Sequence, residues 1–130
     1  MNPDTEEVEM TGAEKAIENH KHFMNCAAAV LNAFCEEAGL SPEEAAAAAA
    51  PMAGGRMGKC GAVLAAETVL AKRFGENDPR IAELEAKFRE MNQSVLCREL
   101  KGGLTGQVLR SCRGCVTDAA ALLEDLLNAG

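Results

Sequence analysis

Apolar positions along this chain recur three and four residues apart, the mark of helices with one buried face. Thr11 to about His22 reads as a first helix, with Ala16, Ile17 and Phe23 turned inward. Asn25 offers a side-chain cap for a second helix, CAAAVLNAFCEEA, with Val30, Leu31 and Phe34 as its inner stripe and Gly39 as its left-handed stop. One uninterrupted helix through Asn25 is the alternative. Ser41-Pro42-Glu43-Glu44 combines a Ser cap, Pro in the first turn and Glu three residues after the cap. The alanines from 45 to 50 continue a short helix, which Pro51 ends. A further helix runs from about Cys60 to Arg73, with Val63, Leu64, Val69 and Leu70 as core positions and Gly75 as its stop. Asp78-Pro79 opens the next, which carries Ile81, Leu84, Phe88 and Met91. Ser94 caps a short segment bearing Cys97, a glycine-rich turn covers 102–106, and a closing amphipathic helix follows Ser111. The expectation is an all-α protein, a single compact bundle of five or six short helices over residues 1–130, with residues 1–11 a flexible acidic tail.

Composition sharpens this picture. The chain has no Trp, no Tyr and 4 Phe, but 24 Ala. A core built on Ala, Leu, Val and Met suits closely approaching helices, because sheets favour branched and aromatic residues. The net charge of -7 repels phosphate, so nucleic acid and anionic membranes are not expected partners. No apolar run approaches the roughly 20 residues that span a bilayer. The N-terminus, MNPDTEEVEM, lacks the basic-then-apolar order of a secretory signal, so the expected compartment is the cytoplasm. In a reducing compartment, the 6 Cys point to metal binding or redox chemistry rather than to a disulfide framework.

Cys112-Arg113-Gly114-Cys115 is a C-x-x-C at a helix start, where unpaired amides and the helix dipole favour thiolate. Arg110 and Arg113 add positive charge. Val116 follows instead of His, which excludes a c-type haem attachment site. Two cysteines packed as small apolar residues are the plain alternative. With one C-x-x-C, a four-sulfur site must recruit single cysteines, and Cys26, Cys60 and Cys97 each fall in or near a first helical turn. Cys35 lies nine residues after Cys26, half a turn out of phase if one helix carries both, and reads as a packing residue. The loop GGRMGKCGA lacks the phosphate-loop order; its glycines suit close backbone approach around Cys60. Lys59 and Arg56 are candidates to lower the Cys60 pKa or contact an anion, against solvated surface charge as the alternative. His20 and His22, two apart, share no helix face and read as surface residues. Cys112, first in its helix, is expected to be the attacking thiol and Cys115 the resolving one. In air a disulfide is expected, either Cys112 with Cys115 or Cys60 with a partner on another helix.

Asn25-Cys26-Ala27, then Gly54-Gly55-x-x-Gly58 before Cys60-Gly61-Ala62, then Cys97-Arg-Glu-Leu100, then Cys112 with Val116 and Ala119-Ala120, occur in the order seen in the C_GCAxxG_C_C family. The chain resembles this family over roughly residues 12 to 128. The resemblance implies a small helical redox-active protein whose four characteristic cysteines map to Cys26, Cys60, Cys97 and Cys112, with Cys115 as an extra thiol or a substitute for Cys112. It implies an iron–sulfur cluster as suggested for the related helical domain of split-Soret cytochromes, no haem, an unidentified redox partner and an association with a transporter system. An oligomer is compatible with it. The sequence departs from the motif at Ala65, where the family carries Gly, and that methyl is expected to push a neighbouring helix or cofactor outward. The leading reading is a cysteine-based protein that exchanges thiols and disulfides, or transfers electrons through an iron–sulfur cluster. Cys60, Cys112 and Cys115 are its reactive thiols, and Cys26, Cys60, Cys97 and Cys112 its ligand set. The alternatives are a structural zinc module held by four thiolates and a small helical interaction protein with incidental thiols.

Overall fold

In the computed structural model, which describes residues 11–55, 57–103 and 106–128, helices account for the architecture and most begin where a capping side chain stands. Thr11 caps α1 (Gly12–Lys21) and Ser41 caps α4 (Pro42–Ala49), both through complete capping boxes. Asn25 caps α2 (Cys26–Ala33) by accepting from the Ala28 amide at 2.8 Å, and Asp78 caps α6 (Pro79–Asn92). These side chains satisfy the amides that a helix start leaves unpaired. The proposed tail, apart from Thr11, lies outside the described residues.

The predicted helix from Cys26 onward is broken at Phe34, whose φ of -114° and ψ of 22° leave helical geometry. The chain restarts as the one-turn α3 (Cys35–Ala38) and stops at Gly39 with φ of 72°. The break lets Phe34 sink fully into the core while α3 packs against α5 (Gly61–Phe74). α4 ends just before Pro51, as expected, and residues Ala50–Gly55 tighten into a 3-10 turn. With α7 (Cys112–Asn128), the described residues hold six helices of eight residues or more plus α3.

α5 lies at the centre, against α2, α3, α6 and α7. Ala27, Ala62, Ala65, Ala66, Ala119 and Ala120 are all fully buried, so alanine surfaces let these backbones approach closely. Ala65 is fully buried inside this core. Phe88, Leu84, Leu70 and Leu123 fill the remaining space. Two expected core positions face water instead. Phe23 is 99% exposed at φ of 73°, because the chain reverses sharply after α1. Met91 is also exposed, and Asn92 is buried in its stead, donating to Asp118 at 3.2 Å.

Lys59 turns away from Cys60 and bonds to Glu67 at 3.0 Å and to Glu85. The other carboxyl oxygen of Glu67 is buried without a hydrogen-bond partner among the described residues. Burial, reinforced by the neighbouring Glu85 carboxylate, pushes the Glu67 pKa up to about 7. A carboxyl whose folded pKa is raised loses stability for the fold as pH climbs from 4.5 through about 7. Glu67→Gln cannot ionise, and its amide can still accept from Lys59 and donate to Glu85. The variant is expected to be about 1 kcal/mol more stable than wild type at pH 8 and equal to it at pH 5, read from urea midpoints. The same shift at both pH values would show that charging Glu67 is not the cause.

Candidate thiol site

Two loops meet to build the site. The glycine-rich segment before α5 turns at Gly58, with φ of 87°, and runs briefly antiparallel to the segment before Cys97. The Cys60 amide donates to the Val95 carbonyl at 2.7 Å and the Cys97 amide to the Gly58 carbonyl at 3.0 Å. This splice fixes two distant cysteines side by side. It also explains Lys59: neighbours on an extended strand point to opposite faces, so the residue beside Cys60 cannot share its surroundings.

Cys60 stands at the N-cap of α5 and is buried. Its sulfur makes no close capping bond, yet it faces the Ala62 and Val63 amides across the first turn. Its main partner is Cys115 of α7, whose S–H donates to it. This bond outweighs burial, and the amides and the Lys101 charge assist, so that the Cys60 pKa falls to about 6. The same bond, together with burial, drives the Cys115 pKa far up. The pair thus favours the thiolate on Cys60 and the thiol on Cys115.

Lys101 is the cation of the site. It follows Cys97 by four residues in a short helical stretch that widens into a π-type turn at Glu99–Gly103. Its ammonium lies 3.9 Å from the Cys115 sulfur, donates to the Arg110 carbonyl at 3.1 Å and bonds the Cys112 thiol. Burial opposes its charge, but the sulfurs of Cys115, Cys112 and Cys60 hold its pKa up. Cys97 shares these surroundings; burial raises its pKa, Lys101 pulls it down, and Cys60 and Cys112 push it up again. The sequence reading missed Lys101. Its i+4 spacing from Cys97 is the signal that marks a shared helix face.

Ser111 caps α7 by accepting from the Gly114 amide at 3.0 Å, which puts Cys112 at the first helical position, exposed, and Cys115 one turn deeper, buried. The C-x-x-C thus places one thiol outside and one inside, and the inner one pairs with Cys60. Cys26 is half-buried at the start of α2, and its sulfur would stand 2.7 Å from a Cβ placed on Gly61. Cys35 lies on α3, lines a hollow with Lys15 and Asn32, and takes no part in the electrostatics of the other thiols.

The flanking charges have their own partners. Arg110 clasps Asp118 with two hydrogen bonds, at 3.0 and 3.1 Å. Arg113 donates to His20 Nδ1 at 2.9 Å. Burial, then Arg113 and Lys101, lower the His20 pKa and keep it neutral. His20 is therefore a half-buried acceptor joining α1 to α7, and His22 the exposed one. Arg56 lies outside the described residues.

A four-thiolate metal site requires its donors to converge on one point. Among the described residues no group of three or more His, Cys, Asp or Glu side chains does so. The Lys101 ammonium, moreover, stands in the position of positive charge among the sulfurs. As arranged, the side chains do not fit a single metal ion.

A family model with the description Putative redox-active protein (C_GCAxxG_C_C) matches residues 24–126. No curated protein and no solved structure matches the chain. Among the described residues, no helix is long and apolar enough to cross a membrane.

Proposed function

The chain belongs to the C_GCAxxG_C_C family of redox-active proteins, and on that premise we propose that it exchanges disulfides through an exposed Cys112 and a buried Cys60–Cys115 pair. The observation that carries this reading is the approach of two cysteines from different helices, whose hydrogen bond lowers the pKa of Cys60 and raises that of Cys115. No disulfide joins them in the structure.

The partner is a protein disulfide. The accessible Cys112 sulfur attacks it, one partner sulfur departs, and a mixed disulfide forms. Cys115 passes its proton to Cys60 and attacks the Cys112 sulfur, releasing the second partner sulfur. Cys60 then gives up that proton and attacks Cys115, which frees Cys112 beside Lys101 and leaves a Cys60–Cys115 bond. Counted together, a thiolate, a thiol and a partner disulfide become an internal disulfide, a partner thiolate and a partner thiol. Lys101 favours the leaving Cys112 thiolate throughout.

Reduced protein treated with a slight excess of uncharged 2,2′-dithiodipyridine, then mapped without reductant, is expected to show Cys60 joined to Cys115. Cys112→Ser should form the same bond about tenfold more slowly, because entry is lost. A map with Cys112 joined to Cys115 alone, or with every thiol free, would overturn the relay. Anaerobically purified protein offers a second check. The chain has no Trp or Tyr, so visible colour or bound zinc would return the site to the iron–sulfur or zinc readings.

A further inference from the structure

Arg110 has no part in the exchange as described, yet it touches both the C-x-x-C and Lys101. Its Nε and Nη2 donate to the two carboxylate oxygens of Asp118 at 3.0 and 3.1 Å. Asp118 stands four residues beyond Gly114 on α7, so the two share a helix face. The Arg110 side chain reaches the carboxylate by lying across Gly114. A Cβ on Gly114 would strike Arg110 Nε and would fall 2.6 Å from its Cζ and 2.7 Å from its Cδ. The glycine of the C-x-x-C is therefore the floor of a slot that the guanidinium fills. Asp118 is buried, and the buried Asn92 donates to it at 3.2 Å. The Arg110–Asp118 pair is neutral as a whole. Ion pairs of this kind contribute little net stability but can fix geometry.

What this pair fixes is the main chain of Arg110. The Arg110 carbonyl accepts from the Lys101 ammonium at 3.1 Å. The same ammonium lies 3.9 Å from the Cys115 sulfur and bonds the Cys112 thiol. On its other side, the Leu109 and Arg110 amides both point at the Leu100 carbonyl, at 2.9 and 3.4 Å. With its side chain locked to α7 and its amide turned to Leu100, Arg110 keeps its carbonyl aimed at Lys101. Burial opposes the Lys101 charge. An ammonium that loses its acceptor in such a place can swing into water on its flexible stem.

We infer that Asp118 is a positioning residue for the thiol exchange: by locking Arg110 across Gly114, it keeps Lys101 at the Cys112 and Cys115 sulfurs. The inference rests on the exchange reading above and adds a residue to it. In the last step of that exchange the Cys60 thiolate attacks Cys115, and Cys112 leaves as a thiolate. One S–S bond forms, one breaks, and the negative charge passes from Cys60 to Cys112. Lys101 in place favours that outcome; Lys101 displaced leaves more of the Cys112–Cys115 bond.

Two variants approach the slot from opposite sides. Asp118→Asn removes the charge that holds the guanidinium. Gly114→Ala keeps every charged group and evicts the guanidinium by its methyl, which the flexible Arg110 side chain can avoid while α7 gains a better helix former. Reduced proteins are trace-labelled with acetic anhydride, and Lys101 is compared with Lys59, which Glu67 and Glu85 hold. In both variants the ratio of Lys101 to Lys59 labelling is expected to rise about threefold. Proteins oxidised with one equivalent of 2,2′-dithiodipyridine and left to equilibrate are then mapped without reductant. The ratio of Cys60–Cys115 to Cys112–Cys115 is expected to fall about fivefold in both variants. A purely structural role would raise the labelling of both lysines together and leave the disulfide ratio unchanged, which would overturn the inference. An unchanged Lys101 to Lys59 ratio in Gly114→Ala, or an unchanged disulfide ratio there, would overturn it even if Asp118→Asn fails to fold. These outcomes leave the exchange reading standing. A wild type that forms no Cys60–Cys115 bond would overturn that reading and the inference with it.

Discussion

Cys60→Ser is expected to remove a thiolate that survives below neutral pH and to halt exchange at a Cys112–Cys115 bond. A thiol with a pKa of about 6 is roughly nine-tenths ionised at pH 7, where an ordinary thiol is ionised by a few per cent. The ultraviolet absorption of thiolate, titrated on reduced protein, should therefore show one step near pH 6 in wild type and none in the variant. Lowering a thiol's pKa also lowers its intrinsic nucleophilicity, so rate alone is a poor witness. The titration and the identity of the final disulfide are better ones. The cause can be separated too. The Cys115 hydrogen bond is the largest influence on Cys60, so Cys115→Ala should move the step upward. Cys115→Ser, which keeps a donor, should hold it near pH 6. A step unchanged in Cys115→Ala would assign the low pKa to the helix amides instead.

Gly61→Ala is expected to cost about 2 kcal/mol and to lower Tm by roughly 6–10 °C in a domain of this length. Gly61 is the first residue of α5 and is buried. A Cβ there would lie 2.7 Å from the Cys26 sulfur, 2.9 Å from the Met52 carbonyl oxygen and 3.3 Å from the Ala27 Cβ. The carbonyl belongs to backbone and cannot swing aside, so the 3-10 turn that carries Met52 must part from α5. Calorimetry on the reduced protein reads the effect. Loss of the Cys60 titration step at a temperature where the fold persists would show that the same contact sets the site. A Tm within a degree of wild type would mean that the turn and α5 separate freely.

The parts of the fold that follow local chemistry were legible in the sequence. Asn25 and Ser41 cap the helices they were expected to cap, Asp78-Pro79 opens its helix as expected, and Gly39 and Gly75 stop theirs. Alanine richness announced closely approaching helices. What depends on tertiary placement was hidden. Burying the Phe34 ring breaks a helix that local propensity would continue. Asn92 displaces Met91 from the interior because Asp118 waits for it there, and no periodicity registers a polar partner 26 residues away. The site shows the same division. Its five cysteines stood out by type and by their place at helix starts. The C-x-x-C, however, suggested that its two sulfurs belong to each other, whereas one faces solvent and the other reaches across to α5. Lys59 adjoined Cys60 in sequence and drew attention away from Lys101, which comes to the sulfurs only when the segment before Cys97 is spliced to the loop before Cys60.

One further property comes from the way the chain closes behind Lys101. The Leu109 amide bonds to the Leu100 carbonyl at 2.9 Å, and Gly106 returns to Gly102 at 2.9 Å. The chain therefore returns at Leu109 to the point it held at Leu100. A detour clasped at its base is insulated: added residues raise only its closure entropy, which grows with the logarithm of length. Beyond Gly106 this stretch can lengthen, accept a graft or carry a label while the lysine and the sulfurs keep their places. The fold thereby separates a part that must be kept from a part that is free to vary.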